Sequence, residues 1–411
     1  MSYKHTFFTG QPIFSQILQL IPRSMVGRLA SHHQSDRYVK TFTSWDHMVA
    51  MLYQGFFQCL SLRELITGLQ ANSERLRHLG LSNTPRRSTV ADANIRRSAA
   101  FFEHLYHAVY KLHFNSLPDS RPMDKKMFII DSTTISLFSN IMHGAGSYKR
   151  DGRKKGGAKA HVLLDSDHNI PSFVRITESK HNDLVFLRNL HIEADSLLVF
   201  DMAYINYLKF IEWDKDNITW VTREKADAYY VVTDRKPIDD TSLAAGVLED
   251  KAIILGRPGN EITTPMVPAR RIKFKDETSG KIFIFLTNST TLRPEEVAAI
   301  YKKRWQIELL FKRIKQRYPL KYFLGETENA IRIQIWAALL CDLLIQIIFN
   351  KVNQKRHAKW SYANLAAMIK HHLMTYLKLI PFLANPDKIL LQKRKTRSQT
   401  GTLFDKQGAL F

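Results

Sequence analysis

Two short apolar runs each end on an aspartate: FII before Asp131 and LLVF before Asp201. Runs of this length and character suit buried strands, whereas a helix needs ten or more residues. An ionised carboxylate in such surroundings costs several kcal/mol unless it is paired or holds a metal. Each aspartate is therefore expected where its strand ends, at the edge of an open α/β sheet where ligands bind. Capping the following turn is the other role open to each.

The hydrophobic pattern changes near residue 120. Residues 1–118 carry apolar side chains at three- and four-residue spacing, as in WDHMVAMLYQGFFQCL and AAFFEHLYHAVYKLHF, and are expected to form a helical domain. Ser44 and Ser88 are plausible N-caps. The stretch TPRRSTVADANIRR resembles a helix-turn-helix element, with Arg86, Arg87, Arg96 and Arg97 as candidate DNA contacts. Residues 119–217 read as strands MFIID, AHVLLDSD and IPSFVRITES, a helix around 182–192, and strand LLVFD. Asp167, His168 and Asn169 make the turn between the second and third of these strands. Residues 218–290 form a β-rich insertion of mostly antiparallel strands. Residues 291–350 return to the core through a long helix, TLRPEEVAAIYKKRWQIELLFKRIKQRY, with Pro294 near its first position and Glu295 and Glu296 in its first turn. Residues 351–411 are helical and end in a basic tail.

Lys and Arg number 60 against 38 Asp and Glu, a formal charge of +22. Such an excess calls for a polyanionic partner. The most apolar segment, residues 331–350, contains Arg332, Gln334, Asp342 and Gln346, which suits a buried helix better than a membrane span. No membrane partner is expected. The N-terminus lacks the order of a signal peptide. The two cysteines, Cys59 and Cys341, read as free buried thiols of a reducing cytoplasm. There is no Cys/His zinc spacing.

Within YKKRWQIELLFKRIK, residues 301–315, one carboxylate stands among six cations. On a helical wheel Tyr301, Arg304, Glu308, Lys312 and Lys315 share a stripe roughly 80° wide. Pairing of Glu308 with Arg304 and Lys312 would account for the glutamate alone. It leaves unexplained why an otherwise apolar helix concentrates positive charge on its one polar side. Two aspartates and a glutamate from separate elements suit two divalent ions such as Mg²⁺. Two such ions can activate the attacking oxygen and stabilise the leaving oxygen of a phosphodiester displacement, with surrounding cations on flanking phosphates.

Y-x2-R-x3-E-x6-K, met by Tyr301, Arg304, Glu308 and Lys315, resembles the signature of DDE transposases of the IS-four insertion-sequence family. DSTT at Asp131 and FDMAY at Asp201 resemble the family's other two acidic regions, in the expected order. The resemblance spans nearly the whole chain. It implies an α/β fold with an RNase H-like mixed-sheet core interrupted by the β-rich insertion, between helical N-terminal and C-terminal regions. It implies Asp131, Asp201 and Glu308 as catalytic ligands of two Mg²⁺ or Mn²⁺ ions. Tyr301, Arg304 and Lys315, assisted by Lys312, would hold phosphates near the cleaved end. The implied substrates are double-stranded DNA, namely the element's terminal inverted repeats and the target, bound by a homodimer in the bacterial cytoplasm at the nucleoid. The 3′-OH ends would pass through a hairpin before joining target DNA. Hairpin-forming relatives carry a stacking Trp on the strand before the signature helix, and Phe283 stands at that position here. Lys159 is a further candidate phosphate contact and His161 a packed strand residue. Arg223 is a DNA contact or an exposed strand residue. His181 and Asp183 open a helix, and the basic loop Lys149–Lys155 is a candidate backbone track. Two alternatives stay open: a catalytically inactive DNA-binding descendant, and an RNase H-like nuclease without strand transfer.

Overall fold

A computed structural model describes residues 10–114, 125–136, 157–178, 186–188, 190–259, 265–356 and 358–391. The loop Lys149–Lys155, His181, Asp183 and the basic tail lie outside these residues, as do 182–185 and 189 of the helix expected at 182–192, whose described part is helical only at 186–187. The chain forms two compact units, residues 1–118 with 317–411, and residues 119–316.

The first unit is helical. Its elements are α1 (Ile13–Leu18), α2 (Arg23–His32), α3 (Ser44–Phe57), α4 (Leu62–Ala71), α5 (Leu76–Leu79), α6 (Arg87–Arg96) and α7 (Ala99–Phe114). Three later helices, Glu328–Asn353, Tyr362–His372 and Leu379–Ala384, complete it. Helix starts differ by one or two residues from expectation. Thr43, not Ser44, caps α3: its hydroxyl accepts from Asp46 N while Asp46 Oδ2 accepts from Thr43 N at 2.7 Å. The α6 helix begins at Arg87 rather than beyond Ser88, without a side-chain cap.

Helix Glu328–Asn353 is long and apolar enough to cross a membrane, yet 94% of its most apolar window is buried inside the protein. Two of its buried polar residues, Gln334 and Asp342, are matched inside the protein. Gln334 accepts from Leu324 N and donates to Pro319 O and Tyr322 O, and Asp342 accepts from Tyr362 Oη at 2.6 Å. Each satisfied group avoids the penalty of a buried orphan. Residues 317–350 thus group with the N-terminal helices.

The second unit is built on one nine-stranded sheet. In chain order it contains β1 (Met127–Ser136), β2 (Gly157–Asp165), β3 (Ile170–Glu178), β4 (Leu197–Phe200), α8 (Tyr207–Lys215), β5 (Thr219–Arg223), β6 (Tyr230–Arg235), α9 (Asp240–Ala244), β7 (Val247–Leu255), β8 (Val267–Lys275), β9 (Ile282–Thr287), α10 (Pro294–Lys302) and α11 (Trp305–Arg317). The helices completing the first unit are accordingly α12 to α14. Strand order is β3-β2-β1-β4-β5-β9-β8-β7-β6. β1, β4 and β5 run parallel, and the other pairs are antiparallel. The segment 218–290 therefore prolongs the same sheet: its first strand, β5, lies parallel to β4, and its last, β9, pairs with β5.

Alternation along β1 and β4 sets the two faces of the sheet. Phe128, Ile130, Leu198 and Phe200 bury one face against Phe210, Trp213 and Trp220. Asp131 and Asp201 fall on the opposite parity and so project from the other face.

The long helix expected over 294–318 is two helices. Arg293 N donates to Glu296 Oε2 at 2.8 Å and Pro294 opens α10, as its sequence requires. At Lys303 and Arg304 the bonds change to i→i+3: Lys303 N to Ile300 O, Arg304 N to Tyr301 O, and Gln306 N to Lys303 O. This tightened turn is anchored by Ser166 Oγ, at the β2–β3 turn, donating to Gln306 Oε1 at 2.7 Å.

Candidate active site

Met127 pairs with Leu197 and Ile130 with Phe200 in the parallel β1–β4 ladder. Continuing that register by one residue sets Asp131 beside Asp201, on strands roughly 4.8 Å apart. β1 does not end at Asp131, as expected, but continues to Ser136. It is β4 that stops, at Phe200. From Asp131 onward β1 has lost its parallel neighbour, and this opens the edge into which both carboxylates project. Asp201 takes the capping role as well, with its Oδ1 accepting from Ala203 N at 3.2 Å.

Glu308 arrives from the first turn of α11. The side chain that joins it to the strands is Arg304. Its Nη1 donates to Asp131 Oδ2 at 2.8 Å and its Nη2 to Glu308 Oε1 at 2.6 Å. Burial raises the Asp131 carboxyl to about 6, and Asp201 and Glu308 push the same way; the Ser132 N–H and Arg304 oppose them.

Tyr301 is buried, and burial raises its phenol. Its ring lies 5.8 Å from the Arg304 guanidinium carbon. The guanidinium is near enough to ease the phenol's ionisation. Tyr301 Oη and Arg304 Nε are both buried without a hydrogen-bond partner among the described residues. Lys312 and Lys315 are exposed one and two turns beyond Glu308.

Other candidates lie elsewhere. Lys159 pairs with Thr134 and His161 with Ser132, which puts both on the face opposite Asp131. His161 is buried, stacked on Phe186 and bonded to Thr177 Oγ1 at 3.0 Å. Phe283, on β9, stacks with Phe285 at 6.1 Å and lies under Arg223 at 5.4 Å, while Phe285 meets Tyr301 at 5.1 Å. In the first unit Arg86, Arg87 and Arg96 are exposed, and Arg96 pairs with Asp92. Arg86 lines a cleft of about 920 Å³ with Arg23, Lys40 and Trp45. Arg97 does not reach the surface. It is 5% exposed and donates to Ser35 O, Phe42 O and Asp36 Oδ1. Its charge ties the 35–42 loop to the end of α6 and, contrary to the expectation from sequence, is not presented to DNA.

One residue beside the site escaped the sequence reading. Trp305, next to Arg304, is 61% exposed, as is Leu309 one turn later. The available signal was their place on the wheel, flanking the Glu308–Lys312 stripe.

Comparison with known proteins agrees in kind. The transposase DDE domain family matches residues 122–344, a span holding all three carboxylates. A domain of unknown function matches residues 9–82. The transposase-named protein y4zB of Sinorhizobium fredii is 32% identical over 64% of this chain and 72% of its own length. A transposase-named protein of insertion sequence element IS4SA from Synechocystis is 22% identical over 77% and 87% respectively. One for element IS5377 from Geobacillus stearothermophilus is 23% identical over 58% and 60%. Among solved structures, a piggyBac transposase synaptic complex with hairpin DNA aligns over 90% of this chain and 79% of that one, with 10% identity and a TM-score of 0.45. With the domain match covering more than half of the sequence and the similarity to y4zB covering most of that relative, this chain belongs to the DDE transposase family.

Proposed function

We propose that this chain is an active DNA transposase of the IS-four type. It binds double-stranded DNA as a homodimer at the terminal inverted repeats of its own element, within the nucleoid. It cuts those ends and joins the 3′-OH ends to target DNA. The observation that carries this reading is the convergence of Asp131 and Asp201, neighbours on parallel strands, with Glu308 held to Asp131 through Arg304. The strand order β3-β2-β1-β4-β5 with parallel β1, β4 and β5 favours an RNase H-like core.

The donor set fits Mg²⁺ or Mn²⁺. It offers hard carboxylate oxygens, and two of the three carboxylates, Asp131 and Glu308, share a single guanidinium. Burial, with Asp201 and Glu308 adding to it, raises Asp131, as expected of a site short of positive charge. Asp131, Asp201 and Glu308 would hold two ions, which when bound supply activation of the attacking oxygen and stabilisation of the leaving one. Arg304 would then turn from the carboxylates toward a phosphate. Tyr301 Oη and Arg304 Nε, donors without partners, suit the phosphate oxygens of the cut strand. Lys312 and Lys315 extend that grip along the backbone. Trp305 is better exposed than Phe283 to stack on a base displaced during hairpin formation.

The test uses a duplex carrying the element's end, with Mg²⁺ or Mn²⁺. Asp131→Asn, Asp201→Asn and Glu308→Gln are each expected to reduce cutting by at least about 1,000-fold, roughly 4 kcal/mol of barrier, while end binding persists. Undiminished cutting in any of the three rejects the triad. Wild-type binding without nicking favours an inactive DNA-binding descendant. Nicking without joining to a target favours a nuclease.

A further inference from the structure

The geometry points to a second metal site, in the helical unit: His32, His33 and His104 bind one divalent late transition-metal ion of the Zn²⁺ class. One ring nitrogen from each histidine lies within 4.8 Å of those of the other two. His32 closes α2, and the chain leaves the helix at His33, with φ −88° and ψ 2°. Gln34 follows in the left-handed region, at φ 49°. Neighbouring helical residues do not normally face one another. This exit from the helix lets the His32 and His33 rings converge to 4.9 Å between centroids. His104, on α7, brings its ring 4.8 Å from that of His33 and 6.1 Å from that of His32.

His33 Nε2 and His104 Nδ1 are 2.9 Å apart, so without metal one ring donates to the other. With Zn–N bonds of about 2.0–2.1 Å, tetrahedral ligand nitrogens stand ~3.4 Å apart. The pair must open by about half an ångström and the His32 nitrogen must draw in, movements within rotamer reach on an exposed rim. Three imidazoles select Zn²⁺, Co²⁺, Ni²⁺ or Cu²⁺ over the hard ions that carboxylates prefer. The ligands must be neutral to bind. Burial lowers the His33 pKa, and His104 and His32 lower it further. The site also lies at the C-terminal end of α2, where the helix dipole favours a cation. His32 and His104 are exposed, leaving a fourth position for water. The bound ion would pin the end of α2 to α7, against which α2 already packs. No short Cys/His spacing announces the site, because its third ligand is 71 residues from His33.

Full-length protein stripped of metal and titrated with Co²⁺ tests this. The expected result is one equivalent of Co²⁺ with the intense visible absorption of tetrahedral nitrogen ligation, displaced by Zn²⁺ and not by Mg²⁺. His33→Ala and His104→Ala should each weaken that binding by 100-fold or more. Asp131→Asn, which alters only the carboxylate cluster, should leave it intact. Circular dichroism checks that the histidine variants are folded, and His32→Ala, which removes a ligand at an exposed position, should weaken the binding as well. Absence of the intense band, or a band unchanged by His33→Ala and His104→Ala, overturns the proposal.

Discussion

Arg304 donates to Asp131 across 2.8 Å, and the same guanidinium bonds Glu308. A cation from the chain itself thus occupies the junction of two carboxylates that would otherwise repel each other. The guanidinium is 13% exposed, so this pairing is screened little by solvent.

Arg304→Ala is expected to destabilise the metal-free protein by about 1–2 kcal/mol, because it leaves two partly buried like charges without their shared cation. Mn²⁺ should recover much of that loss by taking over the compensation. Arg304→Lys should be intermediate, since an ammonium keeps the charge but not the forked geometry. Denaturant midpoints with and without Mn²⁺ measure both effects. An equal loss under the two conditions would show that Arg304 does not stand in for the ion.

Asp131 predicts a pH dependence whose sign follows from its shift. Its folded-state pKa, about 6, lies above the ordinary carboxyl value. The folded protein therefore holds a proton that the unfolded chain has released. The stability from this group is fully present below the unfolded pKa and falls as pH rises through about 6. Asp131→Asn should consequently raise metal-free stability at pH 8 by about 1–2 kcal/mol and flatten the pH profile between 4 and 6. Unfolding curves over that range test it, and a destabilised Asn variant at pH 8 would contradict it.

How far this was legible in the sequence depends on the kind of information involved. Asp131 and Asp201 stand out because a buried strand is apolar and a terminal carboxylate interrupts it. That β1 outlasts β4 is a matter of pairing, which apolar runs do not encode. The break at Lys303 and Arg304 leaves no mark in the helical pattern, and the bond that accompanies it, Ser166 to Gln306, spans 140 residues of sequence. Arg97 looked like Arg96 beside it because charge alone does not reveal burial. Its partners Ser35, Asp36 and Phe42 lie on a distant loop.

The two arginine environments in the helical unit should separate in experiment. Arg97→Ala removes a buried donor from three acceptors and should cost about 2–4 kcal/mol of stability. Arg86→Ala and Arg87→Ala, at exposed positions, should change stability by no more than about 0.5 kcal/mol. If they contact phosphate, each should lower the slope of log K against log salt by about 1. Thermal melts and end-binding titrations at several salt concentrations give both readouts. A reduced salt slope in folded Arg97→Ala would restore that residue as a DNA contact.

Trp305 and Phe283 are the two aromatic residues proposed to receive a displaced base, and their surroundings predict different consequences. Phe283 is held between Phe285 and Arg223 on β9, so Phe283→Ala should loosen the strand and lower stability. Trp305 is largely exposed and makes no ring contact among the described residues. Trp305→Ala should therefore leave the melting temperature almost unchanged. If the indole stacks on an unpaired base, its loss should weaken binding by about 1–3 kcal/mol. The loss should be confined to end substrates with an extruded or unpaired nucleotide at the cleavage point. Fully paired ends, gripped through phosphate, should bind nearly as before. Competition binding with paired and unpaired ends separates these outcomes. An equal effect on both substrates would assign Trp305 to general backbone contact.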